Sequence, residues 1–231
     1  MSLADEIRAL RDRSLAELAA VHDYFAETKN AWRIIRKVIQ AGRKFTIRNS
    51  ATGTVTSESQ LADKAIRYVA EYLAEATFQQ FVAIFENFFF DLLRLWLLAY
   101  PRSLADKELR FKDVLEAPDL ESVALAVVDK ELNEIAYQRP REWFAYLESR
   151  MRLGCPSAAD IDRIGEAKAS RDVLAHNRGI ANRIYEAKAG KAARFTDGQR
   201  VEIPEAYHRE MWELLGKLVA DLSNAAATKF A

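Results

Sequence analysis

The densest run of chemically capable side chains in this sequence is Lys168-Ala169-Ser170-Arg171-Asp172-Val173-Leu174-Ala175-His176-Asn177-Arg178-Gly179. It sets one imidazole, the side chain suited to exchanging protons near neutral pH, within a turn and a half of two guanidiniums, an acid and an amide. On a helix, Asp172 and His176 are four apart and stack on one face, where the carboxylate could hold one ring nitrogen and set the tautomer of the other. Arg171 and Arg178, seven apart, also share a face. Arg171 and His176 are five apart, about 140° around an ideal helix. One straight helix therefore does not aim both at a small target, whereas a two-fold interface bringing the segment against its copy could supply Arg and His twice.

The other familiar chemistries find no support. The 8 glycines are scattered singly, which excludes a Gly-rich phosphate loop and a dinucleotide fingerprint. There is no Gly-x-Ser-x-Gly elbow. His22, His176 and His208 lie too far apart in sequence for a paired-histidine metal site, and the single Cys155 excludes an internal disulfide or a cysteine zinc cage. Glu86 and Asp91 are five apart, off a common helix face, and read as solvated or capping rather than metal-bridging. No metal or cofactor is expected. His22 and His208 read as surface or core-edge residues, and Phe88 to Phe90 as core. Residues 29–57 hold Lys29, Arg33, Arg36, Lys37, Arg43, Lys44 and Arg48 and no acid, a pattern of a solvated face that is also compatible with phosphate contacts.

The elements that must position these groups are helical. Leu3, Ile7, Leu10, Leu18, Val21 and Phe25 recur at three- and four-residue steps, and Trp32, Ile35, Val38 and Ile39 continue the pattern. This predicts one long helix, or two broken near Lys29-Asn30. The Thr- and Ser-rich stretch 45–57 reads as a short hairpin or irregular loop. Ser57 and Gln60 form a capping box for a helix running into the aromatic block that ends at Tyr100, before Pro101. Shorter helices are expected at 104–116, 120–137 and 140–152, and Ser157 caps the helix that carries the polar run. Asp197-Gly198, flanked by 194–196 and 199–203, has the chemistry of a tight hairpin turn, and Pro204 opens the last helix.

Equal numbers of cations and acids, 34 each, argue against a protein that coats nucleic acid indiscriminately and leave a local basic patch open. With 50% hydrophobic residues and 24 aromatics (12 Phe, 8 Tyr, 4 Trp), the composition is that of a globular chain and not a disordered one. The reading is one domain over 1–231, with 1–56 as a helical extension and loop and 57–231 as the core. Acids follow Met1 where a signal peptide would carry basic residues, and the apolar stretch 78–100 is interrupted by Gln79, Gln80, Glu86, Asn87, Asp91 and Arg94. A cytoplasmic protein without a membrane span is expected.

The run Arg171-Asp172-x-x-x-His176 resembles the signature of the HEPN superfamily, the "higher eukaryotes and prokaryotes nucleotide-binding" helical domains, in which an Arg is followed four to six residues later by His. Asn177-x-Gly179 is similar to a frequent extension in the ribonuclease-like members. A looser likeness covers Phe85 to Leu93 on the long core helix, the hairpin and the terminal helix, so that residues 60–225 are compatible. Asp172 stands where Asn is commoner, and Arg178 stands where some toxins of the group carry Tyr. The resemblance implies an all-α fold, a helical bundle of HEPN type with a short β-hairpin before the C-terminal helix.

It further implies a metal-independent endoribonuclease that works as a homodimer, with both copies of the Arg171–His176 helix lining a cleft. RNA would supply its own nucleophile, the 2′-hydroxyl, which DNA lacks. One His176 would take that proton, the other would protonate the departing 5′-oxygen, and the Arg171 pair would stabilise the charge on the five-coordinate phosphorus. Asp172 would orient His176 with Asn177 in support, and Arg178 and Lys168 would contact substrate. By the same resemblance the setting is a toxin or antiviral defence, with an antitoxin or defence-system partner. Two other readings stand beside it: a non-catalytic module of the same fold that binds RNA or nucleotide or mediates assembly, and a purely structural dimer in which Arg171 and Asp172 form interface ion pairs.

Overall fold

Local sequence signals open and close most of the helices. In the computed structural model, which describes residues 2–108 and 111–231 and leaves the side chains of residues 111, 113 and 116 undescribed, α1 is a single helix, Leu3–Gln40. Ser2 caps it, its hydroxyl accepting from the Asp5 N–H at 3.2 Å. No break occurs near Lys29-Asn30. A hairpin follows, β1 (Ile47–Arg48) antiparallel to β2 (Val55–Thr56), with Ile47 opposite Thr56 and Arg48 opposite Val55. The Asn49 side chain closes its tip by accepting from the N–H groups of Ala51 and Thr52.

Helix α2 (Glu58–Arg67) opens with the Ser57 N–H donating to the Gln60 side chain at 3.2 Å. A π-helical turn (Tyr68–Leu73) carries it without interruption into α3 (Ala74–Ala99), which stops before Pro101 as predicted. The helix expected over 104–116 includes 109–110, outside the described residues. On either side lie a 3-10 turn (Pro101–Leu104) and α4 (Phe111–Glu116). Then come α5 (Leu120–Ala136), α6 (Pro140–Met151), α7 (Ala158–His176), α8 (Arg183–Ala189) and α9 (Glu205–Lys229). The chain is all-α with a short hairpin.

Helix α3 is the central element because it is apolar nearly all round. Phe78, Phe81, Val82, Phe85, Phe88, Phe89, Leu92, Leu93 and Leu97 are buried on it. Helices α1 and α9 cover one side, and α5, α6 and α7 the other, in one contiguous apolar cluster. Phe88 and Phe89 are core as expected; Phe89 meets Trp143 and Phe144 with ring centroids 5.7 and 5.1 Å apart. No helix among the described residues is long and apolar enough to cross a membrane.

The hairpin expected before the last helix is replaced by something else. The Asp197-Gly198 turn forms, with the Gln199 N–H donating to the Thr196 carbonyl at 3.0 Å. Its two arms, however, do not pair with each other. Val201 N–H donates to Gly179 O at 2.7 Å and Ala181 N–H to Gln199 O at 2.8 Å, leaving one bridge between Ile180 and Arg200. The reason is that Arg194 is drawn away from any ladder: its N–H donates to the Tyr185 hydroxyl and its side chain reaches Glu166. Helix α8, which periodicity did not predict, is the element it meets; Asn182 caps it by accepting from the Tyr185 N–H.

Glu166 is buried and takes four donors. Ser170 Oγ donates at 2.6 Å, Tyr185 Oη at 2.8 Å, Arg194 Nε at 3.0 Å, and Tyr207 Oη also donates. The Arg194 guanidinium lies 3.4 Å from the centre of the Tyr207 ring. Burial first, and the Glu166 charge second, push the Tyr185 phenol up to about 12 and the Tyr207 phenol above its ordinary value, so both stay protonated donors. Replacing Glu166 by Ala strips Arg194 and three hydroxyls of their acceptor, and urea unfolding should show a loss of about 3–5 kcal/mol.

His208 is fully buried, against the surface or core-edge position expected from sequence. It stacks on Phe25 (4.0 Å) and lies 4.8 Å from Phe81. Thr77 donates its hydroxyl to Leu73 O at 2.7 Å, so the His208 Nε2 2.7 Å away is the protonated donor to that oxygen. Nδ1 is buried without a partner among the described residues. Burial holds this imidazole down at about 4. Its contribution to stability is complete above the unfolded-state value of about 6.5 and is lost as pH falls toward 4. Over that window the unfolding free energy of a His208→Phe variant should fall less steeply than that of wild type, by up to about 1.4 kcal/mol per pH unit.

Candidate functional site

Helix α7 shows two different faces to the protein, and the polar run is divided between them. One stripe, at steps of three and four residues, carries Gly165, Lys168, Ala169, Asp172, Val173 and His176. With the α5–α6 junction and α8 it walls a cleft of about 650 Å³. Tyr137 and Arg139 come from the junction, and Asn182, Tyr185 and Lys188 from the α8 side. Arg139 ties the two walls together by donating to Ala187 O at 3.1 Å.

His176 is the last residue of α7 and is exposed at the rim of this cleft. As predicted, it shares its stripe with Asp172. The expected hydrogen bond between them is not formed: Asp172 accepts from Lys188 Nζ at 2.9 Å and pairs with Arg171 Nη1 at 3.3 Å. Two full positive charges, one from Lys188 and one from Arg171, take up the carboxylate. Lys168 reaches two places at once, lining the cleft while its Nζ donates to Glu86 at 2.7 Å and sits 4.9 Å from the centre of the Trp143 ring.

Arg171 lies off the stripe and points toward α3, as the 140° offset requires. Its Nη2 donates to Glu86, and its Nε is buried without a partner among the described residues. Glu86, read from sequence as solvated or capping, is the half-buried counter-ion of both Arg171 and Lys168. Within one chain the structure thus brings together His176, Asp172, Lys168 and Asn177, and it holds Arg171 behind that wall.

Asn177-Arg178-Gly179 ends the helix. Arg178 and Gly179 are both left-handed, at φ 55° and 74°, and the Gly179 N–H donates back to Val173 O at 3.1 Å. Asn177 donates its amide to Ile180 O at 2.5 Å and still borders the cleft. Glycine suits position 179 because its φ is positive, where an L side chain is strained. Arg178 is exposed and outside the cleft lining.

The cleft walls present Lys168, Lys188 and Arg139 against Asp172, so an anionic group is the favoured occupant. Among the described residues no group of three or more His, Cys, Asp or Glu side chains could hold a metal ion. Sequence reasoning missed Lys188, Arg139 and the role of Glu86. No local pattern marks the first two, and Glu86 showed only as an acid interrupting an apolar helix.

Glu86→Ala leaves Lys168 without its carboxylate and Arg171 with Asp172 alone, and urea unfolding should show a loss of about 2 kcal/mol. An equal loss is not expected for Asp91→Ala, whose partner Arg13 is exposed. Comparison with family models, with curated proteins and with solved structures finds no match to this chain, and the functional reading below is carried by the residues of the site and by the resemblance in its sequence.

Proposed function

We propose that this chain is a metal-independent endoribonuclease of HEPN type, acting as a homodimer on single-stranded RNA. The observation that carries the reading is the exposed His176 at the rim of a cation-walled cleft, with Arg171 five residues before it on the same helix. His176 accepts the 2′-hydroxyl proton as that oxygen attacks the adjacent phosphorus. The bond to the 5′-oxygen breaks, and the His176 of a second copy returns a proton to it. The products are a 2′,3′-cyclic phosphate and a 5′-hydroxyl.

Arg171 serves this reaction by exchanging a carboxylate for the phosphate. Lys168 remains on Glu86 when the guanidinium turns away, so Glu86 is not left as an unpaired half-buried charge. The extra negative charge on the five-coordinate phosphorus then meets Arg171 and, from the cleft walls, Lys188. Asn177 supports His176 by fixing the end of the helix, and Arg178 is free at the surface to meet the strand. A toxin or antiviral role, an antitoxin or defence-system partner and a cytoplasmic setting belong to the same proposal.

A second reading has its own observation. Arg171 is already neutralised by Glu86 and Asp172, which fits a non-catalytic module that binds RNA or nucleotide in the cleft or mediates assembly.

The test is a ribonuclease assay in EDTA. Wild type should cut RNA and leave a substrate with 2′-deoxyribose at the scissile position intact. His176→Ala should lose about 10² to 10⁴ of the rate, and Arg171→Ala a comparable amount, with both variants folded and dimeric by sedimentation. Full activity in His176→Ala, or cleavage of DNA, overturns the mechanism. RNA binding without cleavage under any condition establishes the second reading in its place.

A further inference from the structure

The C-terminal part of α1 does not belong to the bundle. Phe25 is its last buried residue, and the helix continues fifteen residues to Gln40, a reach of about 22 Å. The hairpin and α2 return along it. Trp32, Ile35, Val38 and Ile39 are half-buried on one side of this stretch, with Trp32 edge-on to Tyr68 at 5.5 Å. Lys29, Arg33, Arg36 and Lys37 fall within about 100° on the other side. Arg43, Lys44 and Arg48 extend the same charge into the hairpin.

Seven cations and no acid lie in 29–57, which leaves the rest of the chain with seven more acids than cations. Lys29 is paired with Glu205 at the root of the arm. The remaining six make no ion pair among the described residues, and five of them are exposed, Arg36 being half-buried. Hydroxyl and amide groups fill the tip: Thr46, Asn49, Ser50, Thr52, Thr54 and Thr56.

The arm and the cleft are at one end of the molecule. Helix α1 runs antiparallel to α3, since Arg13 meets Asp91 and Phe25 packs on the His208 that bonds Thr77. The arm therefore overhangs the N-terminal end of α3. At that same end Arg200 donates to Glu75 at 2.7 Å, and its guanidinium lies against Gly179, three residues after His176.

We propose that residues 29–57 form a rigid arm that binds the phosphate backbone of single-stranded RNA and leads the strand toward the His176 cleft. Four of the six unpaired cations are Arg, whose planar fork matches phosphate oxygens. Helix α2 covers the apolar side of α1; Ile34, Ile47 and Val55 stay exposed on the arm, and its six unpaired cations outnumber them and favour a phosphate-rich strand. The choice of RNA, and the delivery to His176, rest on the ribonuclease reading; binding of a phosphate backbone by the arm does not.

The experiment measures fluorescence anisotropy of a short labelled single-stranded RNA with His176→Ala protein, which keeps the strand intact, across a salt series. Six neutralised phosphates give a slope of log K on log salt of about −4. Adding Arg33→Gln, Lys37→Gln, Arg43→Gln and Lys44→Gln together, all at exposed positions, should cut the slope to about −1 and weaken binding at low salt about 100-fold or more. Circular dichroism reports whether the fold is kept. An unchanged slope and affinity overturn the proposal. So does binding to phosphatidylserine vesicles, or a salt-sensitive self-association, that the four changes abolish while RNA binding survives. If RNA binding needs the arm but the wild-type protein cuts nothing, the arm stands and the ribonuclease reading falls. If wild type cuts RNA and the four-fold variant on a wild-type His176 background does so with unchanged KM, the arm falls and the ribonuclease reading stands.

Discussion

A buried carboxylate is expensive unless donors meet its oxygens, and Glu166 is buried with three donors on one oxygen and one on the other. Its donors come from α7, α8, the loop before α9 and α9 itself. Four separate pieces of backbone must therefore be in register for one charge to be tolerated. The interaction selects an arrangement more than it adds stability. Apolar residues of similar volume would serve a packed core as well, but they would not require Arg194 to leave its hairpin partner or Tyr185 to face inward.

The consequences run outward to the site. With Arg194 anchored on Glu166, the segment after Asp197-Gly198 pairs with Gly179 to Ala181 in place of its own upstream arm. That pairing braces the loop that terminates α7, immediately beyond His176. Tyr185 fixes the pitch of α8 against α7, and with it Lys188, whose Nζ lies 2.9 Å from Asp172. The cleft is thus the outside surface of the same α7–α8 contact whose inside holds Glu166. A change in the buried network should be felt at the rim even though none of its hydrogen bonds reaches there.

Helix α7 separates two kinds of work by angle. The stripe of Lys168, Asp172 and His176 faces the cleft, and the adjoining line through Arg171 faces α3. Glu86 joins the two, since it holds Arg171 directly and shares Lys168 with the cleft wall. A chemistry that needs Arg171 and His176 together must either draw the guanidinium off Glu86 or assemble the pair across two copies of the helix. The charge inventory adds a second polarity at the scale of the whole molecule, a basic arm against a net-acidic body, and both features gather at the end where α7 stops.

Much of the architecture was written locally. Ser57 with Gln60, Ser157, Pro101, Pro140 and Pro204 mark helix ends through groups within a few residues, so the boundaries of α2, α3, α6, α7 and α9 could be read from the sequence. Apolar periodicity did the same for α1 and for the central place of α3. The shared face of Asp172 and His176, and the divergence of Arg171, also follow from helical geometry. Tertiary structure decided the rest. His208 lies in the core because Thr77, 131 residues away in sequence, accepts its proton and two phenylalanines enclose it. The downstream hairpin gave way because Glu166 outbids a short β-ladder for Arg194. Asp172 turned from His176 to Lys188 because charge outweighs proximity along a helix. Arg171 found its partner in Glu86, 85 residues earlier, and no local pattern could announce that pairing. Caps and periodicity act over a turn or two of chain, whereas a charge removed from water takes its counter-charge from whatever element the packing brings within reach.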